Sequence, residues 1–260
     1  MTAGSRRAGR RRGAPALLLV VVAVGLWEAA IRLFRVPDYL LPAPSAIVAD
    51  FGADGRLLLD NALVTLTEMA LGLALAVAAG LLLAVALHLS GTLRRAVYPL
   101  LIGSQTVPVV VLAPILVILL GFDLAPKLAI VALVCFFPIV VNTVDGLRSV
   151  DPELVRMMRT LDGSRWAILK RVELPWALPL AFSGMRVAAT YAAIGAVFGE
   201  WAGSSAGLGY LMLQATPNLD TPRIFAAIVI LTVLSLALFL LIRALERLLV
   251  PWARPAAAQP

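Results

Sequence analysis

The sequence predicts an all-α integral membrane protein, and three observations carry that reading. Of 260 residues, 61% are hydrophobic and 14% charged, which is more apolar surface than a water-soluble domain can hide. The apolar residues gather in runs of about 20, the length an α-helix needs to cross a hydrocarbon core of about 30 Å. Strand-like alternation is missing, which argues against an outer-membrane barrel.

Six spans are expected, at 15–34, 63–89, 98–120, 126–144, 180–199 and 224–242. Orientation follows from Arg and Lys. Arg6, Arg7, Arg10, Arg11 and Arg12, then Arg94 and Arg95, then Arg148 with the basic residues of 156–171, then Arg243, Arg247 and Arg254 mark one side. The other side carries only Arg35, Arg56, Lys127 and Arg223. That bias puts both termini in the cytoplasm. The leader 1–14 is basic, but the run after it is longer than a signal core and lacks a well-placed small-x-small cleavage site, so a retained anchor is expected. No repeat and no flexible linker divides the chain. It reads as one membrane domain, 15–246, between the leader and a cytoplasmic tail, 247–260.

The net charge of +7 fits the same loop bias, and no basic stripe with interleaved aromatics points to nucleic acid. The single cysteine, Cys135, lies in an apolar run and forms no intrachain disulfide. Between spans one and two, Pro37, Pro42 and Pro44 favour an extended lead-in, after which Ser45 is expected to cap a short helix on the outer surface. Glu28 and Glu68 read as packing or solvated residues. His88, near the inner end of span two, reads as packed or interfacial.

Span three holds Gln105 and Thr106 before Pro108, with Pro114 following, so its backbone bonding should break and need local partners. Glu200 and Trp201 close span five. A carboxylate at the membrane centre costs about 2.5–3.5 kcal/mol, so Glu200 is expected near the interface. Gly195, Gly199 and Gly203, at four-residue spacing, fit close helix packing.

The segment 147–179 stands apart as a long basic stretch outside the bilayer. Asp151-Pro152-Glu153 is a helix start: a capping carboxylate, proline in the first turn, acid near the positive helix end. Leu154, Met157, Met158 and Leu161 then form an apolar face, with Arg156 and Arg159 beside it. Gly163 is expected to take a left-handed turn and Ser164 to cap the next helix. Trp166, Ile168, Leu169 and Val172 give that helix its apolar side, with Arg165, Lys170 and Arg171 around the rest, and Pro175 should end it. Such a segment serves either as an amphipathic helix on the lipid surface or as a peg for a cytoplasmic partner.

The stretch resembles the cytoplasmic signature loop of permease subunits in bacterial ATP-binding-cassette importers: Glu-Ala-Ala, three residues, Gly, nine residues, Ile-x-Leu-Pro. Anchored on Leu174-Pro175, the pattern puts Val172 at the Ile position, Asp162 at the Gly position and Arg156, Met157 and Met158 at Glu-Ala-Ala. The carboxyl half matches; the Glu-Ala-Ala and the Gly do not. "LPAPSAIVAD", "SQTVPVVVLAPILVILLGF", "RTLDGSRWAILKRVELPWALPLAFSGMRVA" and "GEWAGSSAGLGYLM" occur in the order found in sulfonate, nitrate and taurine importer permeases, so the resemblance covers about residues 39–246.

The resemblance implies a type I importer permease of the bacterial plasma membrane. Its partners would be a second permease copy, a pair of ATP-binding subunits and an extracytoplasmic binding protein. Coupling to the ATPase would fall on Arg156, Met157, Met158, Arg159, Leu161, Asp162, Gly163, Ser164, Arg165, Trp166, Val172, Leu174 and Pro175. The glycine stripe in span five would meet the second permease. No GxxxxGK[ST] loop exists, because neither Lys127 nor Lys170 completes one, so ATP with Mg belongs to the partner. No catalytic pair or metal-ligand cluster stands out, and transport rather than enzymatic chemistry is expected. A secondary transporter would want inverted repeats or a charged pair mid-membrane, and neither is visible in the sequence.

Candidates for the solute route are Gln105, Thr106, Pro108, Phe198, Glu200 and Trp201. "RMMRTLDGSRW" and "GEWAGSSAGLGYLMLQATPNLDTPRIFAAIVIL" look more like the branch importing thiamine's pyrimidine precursors or riboflavin-like heterocycles. The aromatic faces of Phe198, Trp201 and Tyr210 and the amide of Gln105 suit such a ring, and Glu200 has the wrong sign for an anion. The expected solute is therefore a neutral or cationic aminopyrimidine in preference to a sulfonate.

Overall fold

The computed structural model describes residues 5–253, with backbone alone for 5–14, 16, 17 and 253. The arginines of the leader 1–14 and the tail beyond 253, Arg254 included, lie outside the described side chains. The described chain is helical: α1 (Ser5–Phe34), α2 (Pro44–Leu89), α3 (Gly91–Ser104), α4 (Val109–Leu120), α5 (Leu124–Arg148), α6 (Pro152–Thr160), α7 (Arg165–Ile168), α8 (Leu174–Gly203), α9 (Leu208–Ala215) and α10 (Thr221–Leu249).

Among the described residues, four stretches are long and apolar enough to cross a membrane: Pro44–Leu89, Leu124–Arg148, Arg165–Gly203 and Thr221–Leu249. A fifth arises if α3 and α4 count as one broken span. The first expected span, 15–34, falls within α1.

Span three is not one straight helix. α3 and α4 meet at 104°. Pro108 has no N–H for the ladder and pushes the residue before it out of the helical region. The N–H groups of Gln105, Thr106 and Val107 instead fall back on Ile102 O, Gly103 O and Ser104 O at 3.1, 3.1 and 3.3 Å. The Thr106 hydroxyl adds a bond to Gly103 O at 2.8 Å.

The chain divides into two compact units. One comprises Met1–Leu59 and Leu211–Val229. Here Ser45 does not cap a helix with its own side chain. Its N–H and hydroxyl donate to the Glu28 carboxylate at 3.0 and 2.8 Å, so an acid on α1 caps the start of α2. Glu28 is thus a structural ligand of the α2 terminus. The expected short helix is present as the first part of α2, set off by a kink at Asp54 (φ −121°, ψ 26°). Arg223 pairs with Asp54 and, at 3.6 and 3.4 Å, with Asp50 and Asp220. Trp27 packs on Phe225 with ring centroids 5.8 Å apart.

The other unit comprises Asp60–Tyr210 and Ile230–Pro260. Its core joins Met69, Leu73 and Ala76 of α2, Val131, Cys135 and Ile139 of α5, and the alanine-rich face of α8 from Ala181 to Ala196. Lipid gives apolar helices no hydrophobic reason to associate, so close backbone approach has to hold them. The glycines supply it. A Cβ on Gly72 would stand 2.5 Å from Val131 Cβ, and one on Gly184 2.5 Å from Pro138 O. A Cβ on Gly195 would stand 2.7 Å from Val131 Cα and one on Gly199 3.2 Å from Lys127 Cα, while one on Gly203 would meet Phe122 and Val117. The glycine stripe therefore packs within this chain, against α5 and the end of α4, and does not serve the permease–permease contact expected of it.

Candidate functional site

At the basic segment, local chemistry shapes two short helices. Asp151 Oδ1 accepts the Glu153 N–H at 2.8 Å, with Pro152 in the first turn of α6. The helix then ends in a paired C-terminal turn: the Asp162 N–H reaches Arg159 O at 3.2 Å and the Gly163 N–H reaches Met158 O at 2.9 Å. The left-handed residue of that turn is Asp162 (φ +55°), and Gly163 is not left-handed. Asp tolerates this region better than most non-glycine residues, so Asp162 does the conformational work of the glycine to which it aligns. Gly163 is constrained by space: its Cβ would lie 2.5 Å from Met158 O. Ser164 caps α7 as expected, Oγ accepting the Ala167 N–H at 3.2 Å.

Pro175 does not end the second helix. A π-helical turn, Leu169–Glu173, runs straight into α8, in whose first turn Pro175 sits. The helix is continuous there, the Leu174 N–H donating to Leu169 O, and the wide π turn absorbs the change of register around a residue that has no N–H. Pro179 leaves the carbonyl of Pro175 without its helical donor, and Trp252 Nε1 donates to it at 3.3 Å. Arg165 donates to Leu89 O, and His88 Nε2 meets Glu173 Oε2 at 2.9 Å, both at the C-terminal end of α2. Ile168 and Leu169 are buried beneath, and Val172, Leu174 and Pro175 are half-buried. Met157, Leu161 and Trp166 stay exposed among Arg156, Arg159 and Arg165.

A second constellation gathers around the start of α9. The first N–H groups of a helix lack intrahelical partners, and here side chains take all four. Asn61 Oδ1 accepts from Gly207 at 2.7 Å and Thr65 Oγ1 from Leu208 at 2.8 Å. Glu200 Oε2 accepts from Gly209 at 2.5 Å and Tyr210 at 3.1 Å. Thr65 Oγ1 donates to Glu200 Oε1 at 2.6 Å. Gly207 (φ +114°) passes so close to the Glu200 carboxylate that a Cβ would collide with it. Beside them, Lys127 Nζ donates to Ser204 Oγ at 2.7 Å and pairs with Glu68 Oε1 at 2.9 Å.

This is a charged pair within the spans, which the sequence did not show. Its members sit on different helices, so no local spacing joins them. Asn61, Thr65 and Glu68 do fall on one face of α2 inside an apolar run, and that polar stripe was the available signal. Glu68 is as buried as Glu200, at 1% exposure each, so neither is solvated, and Glu200 lies three residues from the end of α8.

The six route candidates are not brought together. Glu200 is sealed in this cluster. Trp201 donates through Nε1 to Gly209 O at 2.9 Å and meets Phe198 edge-on at 5.8 Å. Thr106 and Pro108 form the α3–α4 break. Gln105 lines a cavity of about 600 Å³ beneath it, shared with Phe137, Asn142 and Tyr191.

Lipid-length helices, one of them broken over a cavity, together with a basic two-helix peg packed on the end of α2, are the architecture expected of a membrane transport subunit. Residues 76–255 match the family of binding-protein-dependent transport system inner membrane components. The formylaminopyrimidine transport permease ThiX of Halalkalibacterium halodurans is 38% identical, over 92% of this chain and 96% of its own. The putative aliphatic sulfonates transport permease SsuC of Bacillus subtilis is 32% identical, over 96% of this chain and 90% of its own. The fold is shared with a chain from inward-facing structures of the MetNI methionine ABC transporter, with TM-score 0.59 and 17% identity over 73% of this chain and 96% of that one.

The chain belongs to the family of binding-protein-dependent inner-membrane transport components. It is a multi-pass permease of an ATP-binding-cassette importer, and membership implies an ATPase and a binding protein as partners.

Proposed function

We propose that this permease crosses the inner membrane six times with both termini in the cytoplasm, acts as a pair of identical copies, and imports a neutral or cationic aminopyrimidine or related heterocycle. The membrane domain is 15–246, its coupling loop 147–179, with the leader 1–14 and the tail 247–260 in the cytoplasm. The similarity to the relative named for formylaminopyrimidine transport carries the substrate reading. The sulfonate-named relative aligns over a similar length, which keeps an alkanesulfonate or taurine as the second reading.

The partner ATPase binds ATP with Mg, and the exposed Met157, Leu161 and Trp166 with Arg156, Arg159 and Arg165 dock on it. Closure of the ATPases then shifts a two-state equilibrium of the spans, because the closed state holds the peg differently. The peg's burial at Ile168 and Leu169 and its hold on the end of α2 support this, since a docking element must be rigidly joined to what it moves. The test of the substrate is a thermal shift of the partner binding protein. A formylaminopyrimidine should raise its melting midpoint; stabilisation by taurine or alkanesulfonates with none by pyrimidines rejects the reading.

A further inference from the structure

We propose that the cavity beneath the α3–α4 break is the solute's resting site within the membrane, and that it takes an uncharged nitrogen heterocycle; this rests on the heterocycle reading above. Its residues on α5 run from Leu133 to Asn142 and those on α8 from Val187 to Tyr191, near the middle of both helices. Broken backbone at membrane depth is tolerated only against protein or a water-filled space. Gln105 and Tyr191 are nonetheless exposed here, and Asn142 is half-buried, among valines and leucines.

The lining chemistry sets the class of ligand. None of the lining side chains is charged, so a sulfonate would lie in an apolar space without a counter-cation. Phe137 and Tyr191 offer ring faces. The Asn142 amide nitrogen is held by Pro138 O at 2.8 Å, which leaves its Oδ1 to accept from an exocyclic amine. Gln105 Nε2 has only a 3.4 Å contact to Ser104 Oγ and can donate to a ring nitrogen. Mostly apolar walls with a few orienting amides, around about 600 Å³, suit a small planar ligand.

Cysteine protection tests the assignment. Cys135 is buried and its thiol donates to Ala188 O, so the unaltered chain is the unreactive control. Val107→Cys places a thiol on the cavity wall, and Leu112→Cys is a second reporter. Each is assembled with its ATPase in proteoliposomes and alkylated with N-ethylmaleimide. A formylaminopyrimidine should slow the alkylation and taurine should not. Asn142→Leu added to either reporter should raise the pyrimidine concentration needed by about tenfold, the loss of one hydrogen bond. Thiols that never react, or that react equally fast with and without pyrimidine, overturn the assignment. If uptake assays still show pyrimidine import, the cavity alone is wrong; protection by taurine instead of pyrimidine rejects both cavity and substrate.

Discussion

Gly163→Ala adds one methyl to the turn between α6 and α7. Its Cβ would lie 2.5 Å from Met158 O, the oxygen that accepts the Gly163 N–H. The obstacle is backbone, so no rotamer relieves it and the turn has to open. Losing that bond costs about 0.5–1.5 kcal/mol and overpacking about 1–3 kcal/mol. A combined loss of about 3 kcal/mol lowers the population of the closed turn by about two orders of magnitude. Asp162 gives the opposite sign. A left-handed conformation costs a non-glycine residue about 1–2 kcal/mol, and Asp less than most. Asp162→Gly removes that strain, offset by about 0.5–1 kcal/mol of backbone entropy, and should be neutral or slightly stabilising. Asp162→Val should lose about 1–3 kcal/mol. The assay is solute imported per ATP hydrolysed in proteoliposomes with the partner subunits. Wild type and Asp162→Gly should couple alike, and Gly163→Ala and Asp162→Val should hydrolyse ATP with little import. All four should insert equally well, because the turn lies outside the spans. Normal coupling in Gly163→Ala, or uncoupling in Asp162→Gly, would refute the assignment of the two positions.

Glu200→Ala strips the acceptor from Gly209, Tyr210 and Thr65, at about 1–3 kcal/mol for each buried donor, so the permease should fail to accumulate in membranes. Glu200→Gln keeps an amide oxygen there and should retain part of the wild-type level by immunoblot. Lys127→Met strands the Glu68 carboxylate at a cost of about 3–5 kcal/mol, and adding Glu68→Leu should recover most of the melting midpoint; a double variant as poor as the single one defeats the pairing. Gly195→Val drives a side chain into the α5 backbone and should abolish expression, whereas Gly25→Val, with nothing within 4 Å, should not. A reporter fused after Gly163 should be cytoplasmic and one after Gly55 outside; both on one side rejects six spans.

Helix existence was legible because lipid crossing imposes a length and a composition on contiguous residues. The caps at Asp151 and Ser164 were legible for the same reason: a cap and the N–H it serves lie within three residues. The left-handed residue was misplaced by one position, since a glycine beside an aspartate is the usual occupant and only the two turn bonds separate them. Pro175 looked like a stop because a sequence does not announce a π turn, whose wider register lets the helix continue past a residue without an N–H. Lys127 looked like an outer-loop charge. Its partners Glu68 and Ser204 come from other helices and from beyond the end of α8, and only the packed bundle unites them.

The internal charges do not mark this chain as a secondary transporter, and their hydrogen bonds say why. Glu200 spends its oxygens on the Thr65 hydroxyl and two N–H groups of α9, and Lys127 is held between Glu68 and Ser204. Groups so occupied fix a helix end; a coupling ion or a solute would have to displace bonds that the fold itself needs. The α3–α4 break differs. Its N–H groups make only tight local turns, and beside it Gln105 and Tyr191 are exposed among apolar residues. Polar groups so placed require a partner, which a second permease copy or a passing solute supplies. The Glu200 cluster therefore ties helix ends of the bundle together, and the break, whose polar groups the fold leaves open, is where the proposed solute site lies.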